Sequence, residues 1–381
     1  MQTNEDIEAK QLLQDLVDPW YVSLKNPAES QEQTLQTLLK GYAETNYGKS
    51  FDVANIRSAE DFQKFPVSNY HSLQSWFEEE KRGNHGSILS EPATCWVMTR
   101  GTTGLPKVIP ATETHLSQIL LAGSRAILNF ALKKDLEVMK KDVLNLNFPS
   151  EVFLMTDHLS GETRRFGYSS GTYAKLNPSL DTTSLVPKQE EIDALGPGIT
   201  KVDWERRFEL VYERAKASKI GSVMGVTPVI LEFGNFLRRK HHTSPRKIWN
   251  MNALFCTSVA KIHSKYAPIL KHLYGNVPVV EMYSATEGVF AQQIDDLPYV
   301  SPNYDIYFFE VRTRKGIKPL HELRPLEWGS LIVSSTMLPR YEIGDIIESL
   351  GKNYFRVFGR AKKLTVAEHL FYNLFTGRIL S

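Results

Sequence analysis

The feature that most constrains the fold is a short apolar run that ends in a loop of glycine and hydroxyl residues closed by a lysine. Residues 96–98 (Trp-Val-Met) predict a buried strand, and residues 99–107 (Thr-Arg-Gly-Thr-Thr-Gly-Leu-Pro-Lys) predict the loop. Gly101 and Gly104 permit a tight turn with exposed N–H groups, which can face phosphate oxygens. The glycine-to-lysine spacing is not that of a Walker loop. Taken alone, the segment predicts either a phosphate-binding loop or an ordinary flexible turn.

Three later segments place charged side chains where the pattern predicts that strands end. Residues 281–288 (Glu-Met-Tyr-Ser-Ala-Thr-Glu-Gly) follow the apolar run 277–280. Residues 339–345 (Pro-Arg-Tyr-Glu-Ile-Gly-Asp) follow the strand-like run 330–333, and residues 357–363 (Val-Phe-Gly-Arg-Ala-Lys-Lys) come last. Sheets of α/β proteins bind ligands at the ends of their strands. Each segment alone is compatible with a solvated turn, but all of them in this order favour a ligand site.

Together the four segments resemble the core motifs of the acyl-adenylate-forming superfamily, which includes acyl-CoA synthetases, peptide-synthetase adenylation domains and luciferases. The pattern of that superfamily is Ser/Thr-Gly-Thr-Thr-Gly-x-Pro-Lys, then Tyr-x-x-Thr-Glu, then Tyr-x-x-Gly-Asp, then Gly-Arg at a hinge. The resemblance covers roughly residues 90–365. Residues 302–310 (Pro-Asn-Tyr-Asp-Ile-Tyr-Phe-Phe-Glu) and 327–345 further resemble the plant auxin- and jasmonate-conjugating acyl-amido synthetases and their bacterial relatives.

The sequence departs from the superfamily pattern in two places. Arg100 stands where the superfamily usually has Ser or Thr, and its guanidinium could add a phosphate contact or change how the loop closes. The superfamily also carries a mobile C-terminal domain after the hinge, with a lysine that helps drive adenylation. Only residues 361–381 follow Arg360 here, so we expect that domain to be largely absent. The chain is then either a piece of a longer enzyme or an enzyme that works without the domain, with a partner protein as one way to supply it.

The resemblance implies an α/β fold, the N-terminal domain of an adenylate-forming enzyme, and the alternation of predicted strands and helices favours mostly parallel sheets flanked by helices. We expect a helical N-terminal part over residues 1–85 that packs on the core. An adenylate-forming core with the ATP site is expected over 86–358, and a hinge with a short C-terminal remnant over 359–381. Within the core, residues 167–171 predict a loop and residues 177–203 an irregular connection.

Composition restricts the class of protein. Hydrophobic residues make up 42% of the 381 residues and the formal net charge is +2, which argues against partners such as nucleic acid or an anionic membrane. The cysteines, Cys95 and Cys256, are too few for a disulfide framework and suit a reducing cytosol. The polar N-terminus lacks a signal core and no run has the length of a membrane span, so a cytoplasmic location is expected. His115, His158 and His263 lack a metal or triad pattern and predict surface or capping residues.

The resemblance also implies roles for individual residues in binding ATP and Mg²⁺. The phosphate loop would cradle the phosphates through its hydroxyl, N–H and ammonium donors, which belong to Thr99, Arg100, Gly101, Thr102, Thr103, Gly104 and Lys107. Glu287 would hold Mg²⁺, which prefers hard oxygen ligands, and Thr286 would contact the α-phosphate. Residues of the second motif would line the adenine or acyl pocket, namely Tyr283, Ser284 and Ala285. Asp345 would accept the ribose hydroxyls, and the hinge residues Arg360 and Lys362 would lie near the ribose or phosphate.

The acid substrate is poorly specified. Candidates for its pocket come from loop and strand ends, although packing or turn structure is the favoured interpretation of each: Tyr168, Ser169, Met224, Val226 and Thr227. The leading hypothesis is ATP-dependent activation of a carboxylic acid to an acyl-adenylate, with release of pyrophosphate and transfer to an amine, a thiol or a carrier protein. The alternatives are a nucleotide- or acyl-adenylate-binding subunit that no longer catalyses and an aryl-CoA ligase of the phenylacetate type. The sequence leaves the acid, the acceptor and the oligomeric state open.

Overall fold

The computed structural model describes residues 4–99, 106–156, 161, 163–178 and 185–360, without the side chains of residues 4–9 and 164. The N-terminal part is helical, as predicted. Its helices are α1 (Asn4–Lys25), α2 (Pro27–Glu44), α3 (Asn46–Ser50), α4 (Ala59–Phe62) and α5 (Tyr70–Lys81). Helix α5 begins at Tyr70 because Asn69 and Ser72 form a reciprocal capping box over its first turn.

Further helices lie between and beside the strands. They are α6 (Glu113–Lys133), α7 (Ser169–Lys175), α8 (Gln189–Asp193), α9 (Lys201–Ala215), α10 (Thr227–Lys240), α11 (Pro245–Ile248) and α12 (Ala267–Tyr274). The Thr112 hydroxyl accepts a hydrogen bond from His115 N (3.2 Å) and thereby caps α6. Pro228 stands in the first turn of α10, where the missing N–H costs nothing.

The strands of the described residues form three sheets. A four-stranded sheet has the order β2 (Val108–Thr112), β1 (Ala93–Met98), β5 (Thr163–Tyr168), β4 (Phe153–Thr156). A seven-stranded sheet has the order β11 (Ser301–Pro302), β10 (Gly288–Gln292), β9 (Val279–Ala285), β8 (Ala253–Thr257), β7 (Ile220–Val226), β3 (Asp142–Leu144), β6 (Leu185–Val186). A five-stranded sheet has the order β13 (Gly316–Pro319), β12 (Phe308–Thr313), β14 (Trp328–Ser334), β15 (Tyr341–Gly351), β16 (Tyr354–Arg360).

The α/β class is confirmed, but parallel pairing among the described strands is limited to β1 with β5 and to five adjacent strands of the largest sheet. Strands β9, β8, β7, β3 and β6 pair in parallel there. The five-stranded sheet is antiparallel throughout, because β12 to β16 follow one another through short connections without crossover helices. Residues 308–360 therefore form an antiparallel sheet and not a run of βαβ units.

Two local predictions are wrong. Residues 167–171 are not a loop, since β5 ends at Tyr168 and α7 begins at Ser169. Gly171 serves close packing and not a turn, because a Cβ there would lie 2.0 Å from the carbonyl oxygen of Phe148. The segment predicted to be irregular, residues 177–203, contains β6, α8 and the start of α9 within its described part.

The N-terminal helices share a core with all three sheets. One cluster of buried side chains joins Leu35 of α2, Trp96 of β1, Phe290 of β10 and Tyr341 of β15. A second cluster lies under α9, α10 and α12 against the parallel strands and includes Phe208, Phe233 and Leu254. Cys95 and Cys256 are buried and free, as expected for structural thiols. None of the described helices is long and apolar enough to cross a membrane.

Candidate active site

The centre of the candidate site is a cluster formed by Glu287, Tyr341 and Lys107. Thr286 and Glu287 form the two-residue turn between β9 and β10. The first pair of the two strands is Ala285 with Gly288, directly beside the turn. The Tyr341 hydroxyl donates to Glu287 Oε1 (3.2 Å) and accepts from Lys107 Nζ (3.0 Å). Lys107 Nζ lies 3.7 Å from the same carboxylate oxygen. The second and third sequence motifs, through Glu287 and Tyr341, therefore contact the lysine that ends the phosphate loop.

Within this cluster the lysine is the accessible member. The Glu287 side chain is 7% exposed, whereas that of Lys107 is 34% exposed. Burial raises the pKa of the Tyr341 phenol, so the hydroxyl stays protonated and can donate to the carboxylate while it accepts from the ammonium. An anion that approaches the site would meet Lys107 first.

The second group consists of Tyr283, Asp345 and Arg360. The Tyr283 hydroxyl donates to Asp345 Oδ2 (2.8 Å), and Arg360 Nε lies 3.1 Å from Asp345 Oδ1. Asp345 and Arg360 are also paired across the β15–β16 ladder, and Arg360 Nη1 donates to the carbonyl of Ile343 (2.8 Å). Burial raises the pKa of the Asp345 carboxyl, and the neighbouring Arg360 guanidinium opposes this shift. A ligand hydroxyl that reached Asp345 would share it with these two side chains.

The base of the phosphate loop is closed by hydrogen bonds between its two ends. Thr99 N donates to the carbonyl of Lys107 (2.9 Å), and Lys107 N donates to Thr99 Oγ1 (3.0 Å). This pairing extends the antiparallel ladder of β1 and β2 beyond Met98 and Val108. The remaining predicted loop residues Arg100, Gly101, Thr102, Thr103 and Gly104 lie outside the described residues, as do Lys362 and His158.

Hydroxyl groups line the neighbouring strand ends. Ser284 Oγ and Thr257 Oγ1 lie 2.6 Å apart, and Thr227 Oγ1 donates to the carbonyl of Thr257 (2.8 Å). Ser169 Oγ and Thr286 Oγ1 lie 3.4 Å apart. The first residues of α7 and α10 and the ends of β8 and β9 therefore meet near the hairpin that carries Glu287.

The other substrate candidates have the contacts of core residues. Tyr168 packs against Phe148, with ring centroids 5.3 Å apart, and belongs to the second core cluster. Met224 lies on β7 opposite Phe255, and Val226 lies on the same strand opposite Thr257. Of these three, Val226 is the one next to the hydroxyl groups at the strand ends.

Several features of the site were not anticipated. Tyr283, Ser284 and Ala285 lie inside β9 and not after it, because β9 extends past the parallel ladder to pair with β10. Tyr341 lies in the third motif, but the sequence resemblance implies no role for it. Its position between two charged groups follows only from the packing. Tyr70 carries no local signal at all; its ring centroid lies 5.6 Å from Lys107 Nζ.

The histidine predictions are wrong where the structure describes the residue. His115 is fully buried in α6, and both ring nitrogens lack a hydrogen-bond partner among the described residues. Burial lowers its pKa to about 4, so the ring is neutral near pH 7. His263 Nε2 lies 3.5 Å from Glu281 Oε2 in a largely buried pair. Burial raises the pKa of that glutamate to about 8.

The residues of the cluster fit a metal ion only if a bound ligand supplies further oxygen atoms to the metal. No group of three or more His, Cys, Asp or Glu side chains that could hold a metal occurs among the described residues. Glu287 provides one buried carboxylate with Lys107 close by. Mg²⁺ is often bound by one or two carboxylates together with substrate phosphates and water, which is compatible with this arrangement.

Comparison with known proteins finds partial similarity to one family of synthetases. The model of the GH3 family N-terminal domain matches residues 21–160. A curated relative, the indole-3-acetic acid-amido synthetase GH3.4 of Arabidopsis thaliana, is 21% identical over 392 aligned positions, which cover 86% of this chain. The chain spans 65% of the length of that relative.

Solved structures with the same fold come from two groups of ligases. The AtGH3.15 acyl acid amido synthetase in complex with 2,4-DB superposes with a TM-score of 0.71 at 15% identity, over 95% of this chain and 72% of the other. A 2-hydroxyisobutyryl-CoA ligase in complex with 2-HIB-AMP and CoA superposes with a TM-score of 0.60 at 16% identity, over 89% of this chain and 69% of the other. The fold is therefore that of adenylate-forming enzymes, and the predicted resemblance to the acyl-amido synthetase branch is confirmed.

Proposed function

We propose that the chain activates a carboxylic acid with ATP. The carboxylate oxygen attacks the α-phosphorus, the bond from that phosphorus to the leaving pyrophosphate breaks, and an acyl-adenylate forms. An amine acceptor would then attack the acyl carbon, release AMP and lose its proton to solvent, which gives an amide. The observation that carries the proposal is the convergence of Lys107, Glu287 and Tyr341, which come from three remote parts of the sequence.

Each group in the site has a part in this reaction. Lys107 neutralises charge on the phosphates that leave, and the loop residues Thr99, Arg100, Gly101, Thr102, Thr103 and Gly104 supply further donors to them. Asp345 accepts hydrogen bonds from the ribose, with Tyr283 and Arg360 holding its carboxylate in place. Thr286, at the tip of the hairpin, would contact the α-phosphate. Glu287 would hold Mg²⁺, which supplies charge neutralisation when it is bound with the nucleotide.

The strand-end hydroxyls mark the side from which the acid would approach. Ser169 and Thr286 lie 3.4 Å apart, and Ser284, Thr257 and Thr227 form the adjoining hydroxyl series. We assign Ser169, Val226 and Thr227 to this wall and leave Tyr168 and Met224 as packing residues behind it. Transfer to a thiol, as in a CoA ligase, is the second candidate, and it rests on the shared fold with the CoA ligase structures.

Pyrophosphate release tests the first half-reaction. The protein is assayed with Mg-ATP and a panel of aryl, indole and fatty acids, and Glu287→Ala is compared with the parent. We expect release that depends on one class of acid and falls on the order of 100-fold or more in the variant, because the carboxylate that would hold Mg²⁺ is lost. Glu342→Ala is the matched control, since Glu342 is a neighbouring carboxylate on β15 that pairs with Arg312 away from the cluster.

Two results would contradict the proposal. Unchanged release in Glu287→Ala would remove the carboxylate from the reaction. Absence of release with every acid, together with measurable ATP binding, would favour the alternative of a binding subunit that no longer catalyses. The acceptor is then identified by adding amino acids or CoA to the acid that works and measuring AMP formation.

A further inference from the structure

The segment between α4 and α5 is attached to the start of β15. Ser68 N donates to the carbonyl of Arg340 (2.8 Å), and Glu342 N donates to the carbonyl of Ser68 (2.9 Å), which makes an isolated parallel bridge between Ser68 and Tyr341. The Ser68 hydroxyl also donates to the carbonyl of Pro339 (2.6 Å). A piece of the N-terminal helical part is thus paired with the same residues that carry the Tyr341 motif.

Arg340 anchors this segment from the other side. Its guanidinium is buried and makes a two-pronged pair with Glu310, with Nε and Nη2 each 2.9 Å from a carboxylate oxygen. Its Nη1 donates to the carbonyls of Gln63 (2.6 Å) and Phe65. The path of the chain from Gln63 to Ser68 is therefore held by hydrogen bonds to Pro339, Arg340 and Glu342.

Tyr70 is the residue that this attachment brings to the site. Its hydroxyl accepts from Val108 N (3.1 Å), directly after the lysine that closes the phosphate loop. Lys107 Nζ lies 5.6 Å from the ring centroid of Tyr70 and 5.7 Å from that of Tyr341. The ammonium therefore lies near the ring of Tyr70 from the N-terminal part while it donates to the hydroxyl of Tyr341 from β15.

We propose that Tyr70 is a positioning residue for Lys107, and that the N-terminal segment 63–70 thereby forms part of the triphosphate site. The inference rests on the function proposed above. A lysine stem is flexible, and an aromatic ring attracts its ammonium and restricts its rotamers. The ammonium is then already in place when a phosphate arrives, so less freedom is lost on binding.

Nucleotide binding to the full chain tests this inference. The affinities for Mg-ATP and for AMP are measured by calorimetry for the parent and for Tyr70→Leu. We expect about fivefold weaker binding of Mg-ATP, because one aromatic contact to the ammonium is lost. Binding of AMP should stay within about twofold, since AMP lacks the phosphates that Lys107 would contact. A general structural defect would weaken both nucleotides together and would overturn the inference.

Two controls separate positioning from packing. Tyr212 on α9 packs against the second core cluster, and its ring centroid also lies 5.6 Å from a lysine ammonium, that of Lys216. Tyr212→Leu removes this ring and should leave both affinities unchanged. Tyr70→Phe keeps the ring and loses only the hydroxyl that accepts from Val108 N, so it should retain most of the Mg-ATP affinity. Thermal melting of each variant without nucleotide reports any loss of folding.

A double-mutant cycle identifies the route of the effect. In a Lys107→Met background, Tyr70→Leu should no longer change Mg-ATP binding, because the group through which Tyr70 acts is gone. An equal loss in both backgrounds would overturn the inference while leaving the proposed function intact. A parent protein that binds neither nucleotide would instead contradict the proposed function, and the phosphate-binding role of Lys107 with it.

Discussion

Two buried tyrosines define the site at the scale of single residues. Tyr283 donates to Asp345, and Tyr341 donates to Glu287. Burial raises the pKa of both phenols, so each is a protonated hydrogen-bond donor near neutral pH. Each carboxylate is thus oriented by a neutral donor and retains free lone pairs for a ligand.

Burial of His115 makes the stability of the protein depend on pH. Its pKa is lowered to about 4 by burial, from 6.5, so the unfolded chain binds a proton in this range and the folded chain does not. Stability therefore rises with pH between these values and falls as the pH drops below 6.5. We expect a loss on the order of 2 kcal/mol from this residue between pH 7.5 and pH 5.

Urea unfolding at the two pH values measures this loss. His115→Leu, which cannot take a proton, should lose less stability on acidification than the parent does. His71→Leu is the matched control, because His71 is exposed and its replacement should leave the pH dependence unchanged. An equal dependence on pH in the parent and His115→Leu would show that other groups cause it.

At the scale of elements, the buried guanidinium of Arg340 joins the N-terminal helical part to the five-stranded sheet. Arg340 at the start of β15 pairs with Glu310 of β12, and it also donates to carbonyls of the segment that follows α4. Arg340 adopts a φ of 46°, a left-handed conformation that costs free energy in a residue other than glycine. The hydrogen bonds of its guanidinium offset that cost and attach the segment that carries Tyr70.

Removal of the guanidinium should be strongly destabilising. Arg340→Met leaves the Glu310 carboxyl buried without its partner and two carbonyls without a donor, so we expect a loss of about 3–5 kcal/mol in the free energy of unfolding. Denaturant unfolding measures it. The exposed pair of Arg312 and Glu342 is the control, because Arg312→Met should change stability by less than about 1 kcal/mol.

A second variant tests the cause of that loss. Arg340→Met combined with Glu310→Leu removes both charges and should recover part of the stability, since the buried unpaired carboxyl is gone. Recovery will be incomplete because the carbonyls of Gln63 and Phe65 still lack a donor. A double variant no more stable than the single one would assign the whole effect to those carbonyls.

At the scale of the whole molecule, the site lies where the three sheets and the N-terminal helices meet. Lys107 enters from the four-stranded sheet, Glu287 from the hairpin at the edge of the seven-stranded sheet, and Tyr341 and Asp345 from the five-stranded sheet. Tyr70 joins them from α5. A nucleotide in this position would contact elements from every layer of the described fold and would stabilise all of them together.

Mg-ATP should therefore raise the melting temperature of the protein. At 100 times the dissociation constant, binding adds about 2.7 kcal/mol to the free energy of unfolding, which corresponds to a shift of a few degrees. Differential scanning calorimetry of the parent and of Asp345→Ala provides the test. The variant should melt at the same temperature with and without the nucleotide. A shift of equal size in both would place the nucleotide away from Asp345.

The local sequence determined the elements and the chemistry of the site. The helical N-terminal part and the strand before the phosphate loop follow from the local pattern of apolar residues. Glu287 and Asp345 belong to motifs whose order along the chain resembles that of a known superfamily. These features depend on neighbours within a few positions or on a recurring pattern, and both can be read from a single sequence.

Only the tertiary structure decided which side chains meet. The burial of His115, the helix that begins at Ser169 and the placement of Tyr70 beside Lys107 depend on segments remote in the sequence. The bridge between Ser68 and Tyr341 arises from strand and segment pairing that no local preference specifies. Hydrophobic burial drives such segments together without regard to their order along the chain, so the partners of a residue become known only once the whole core is packed.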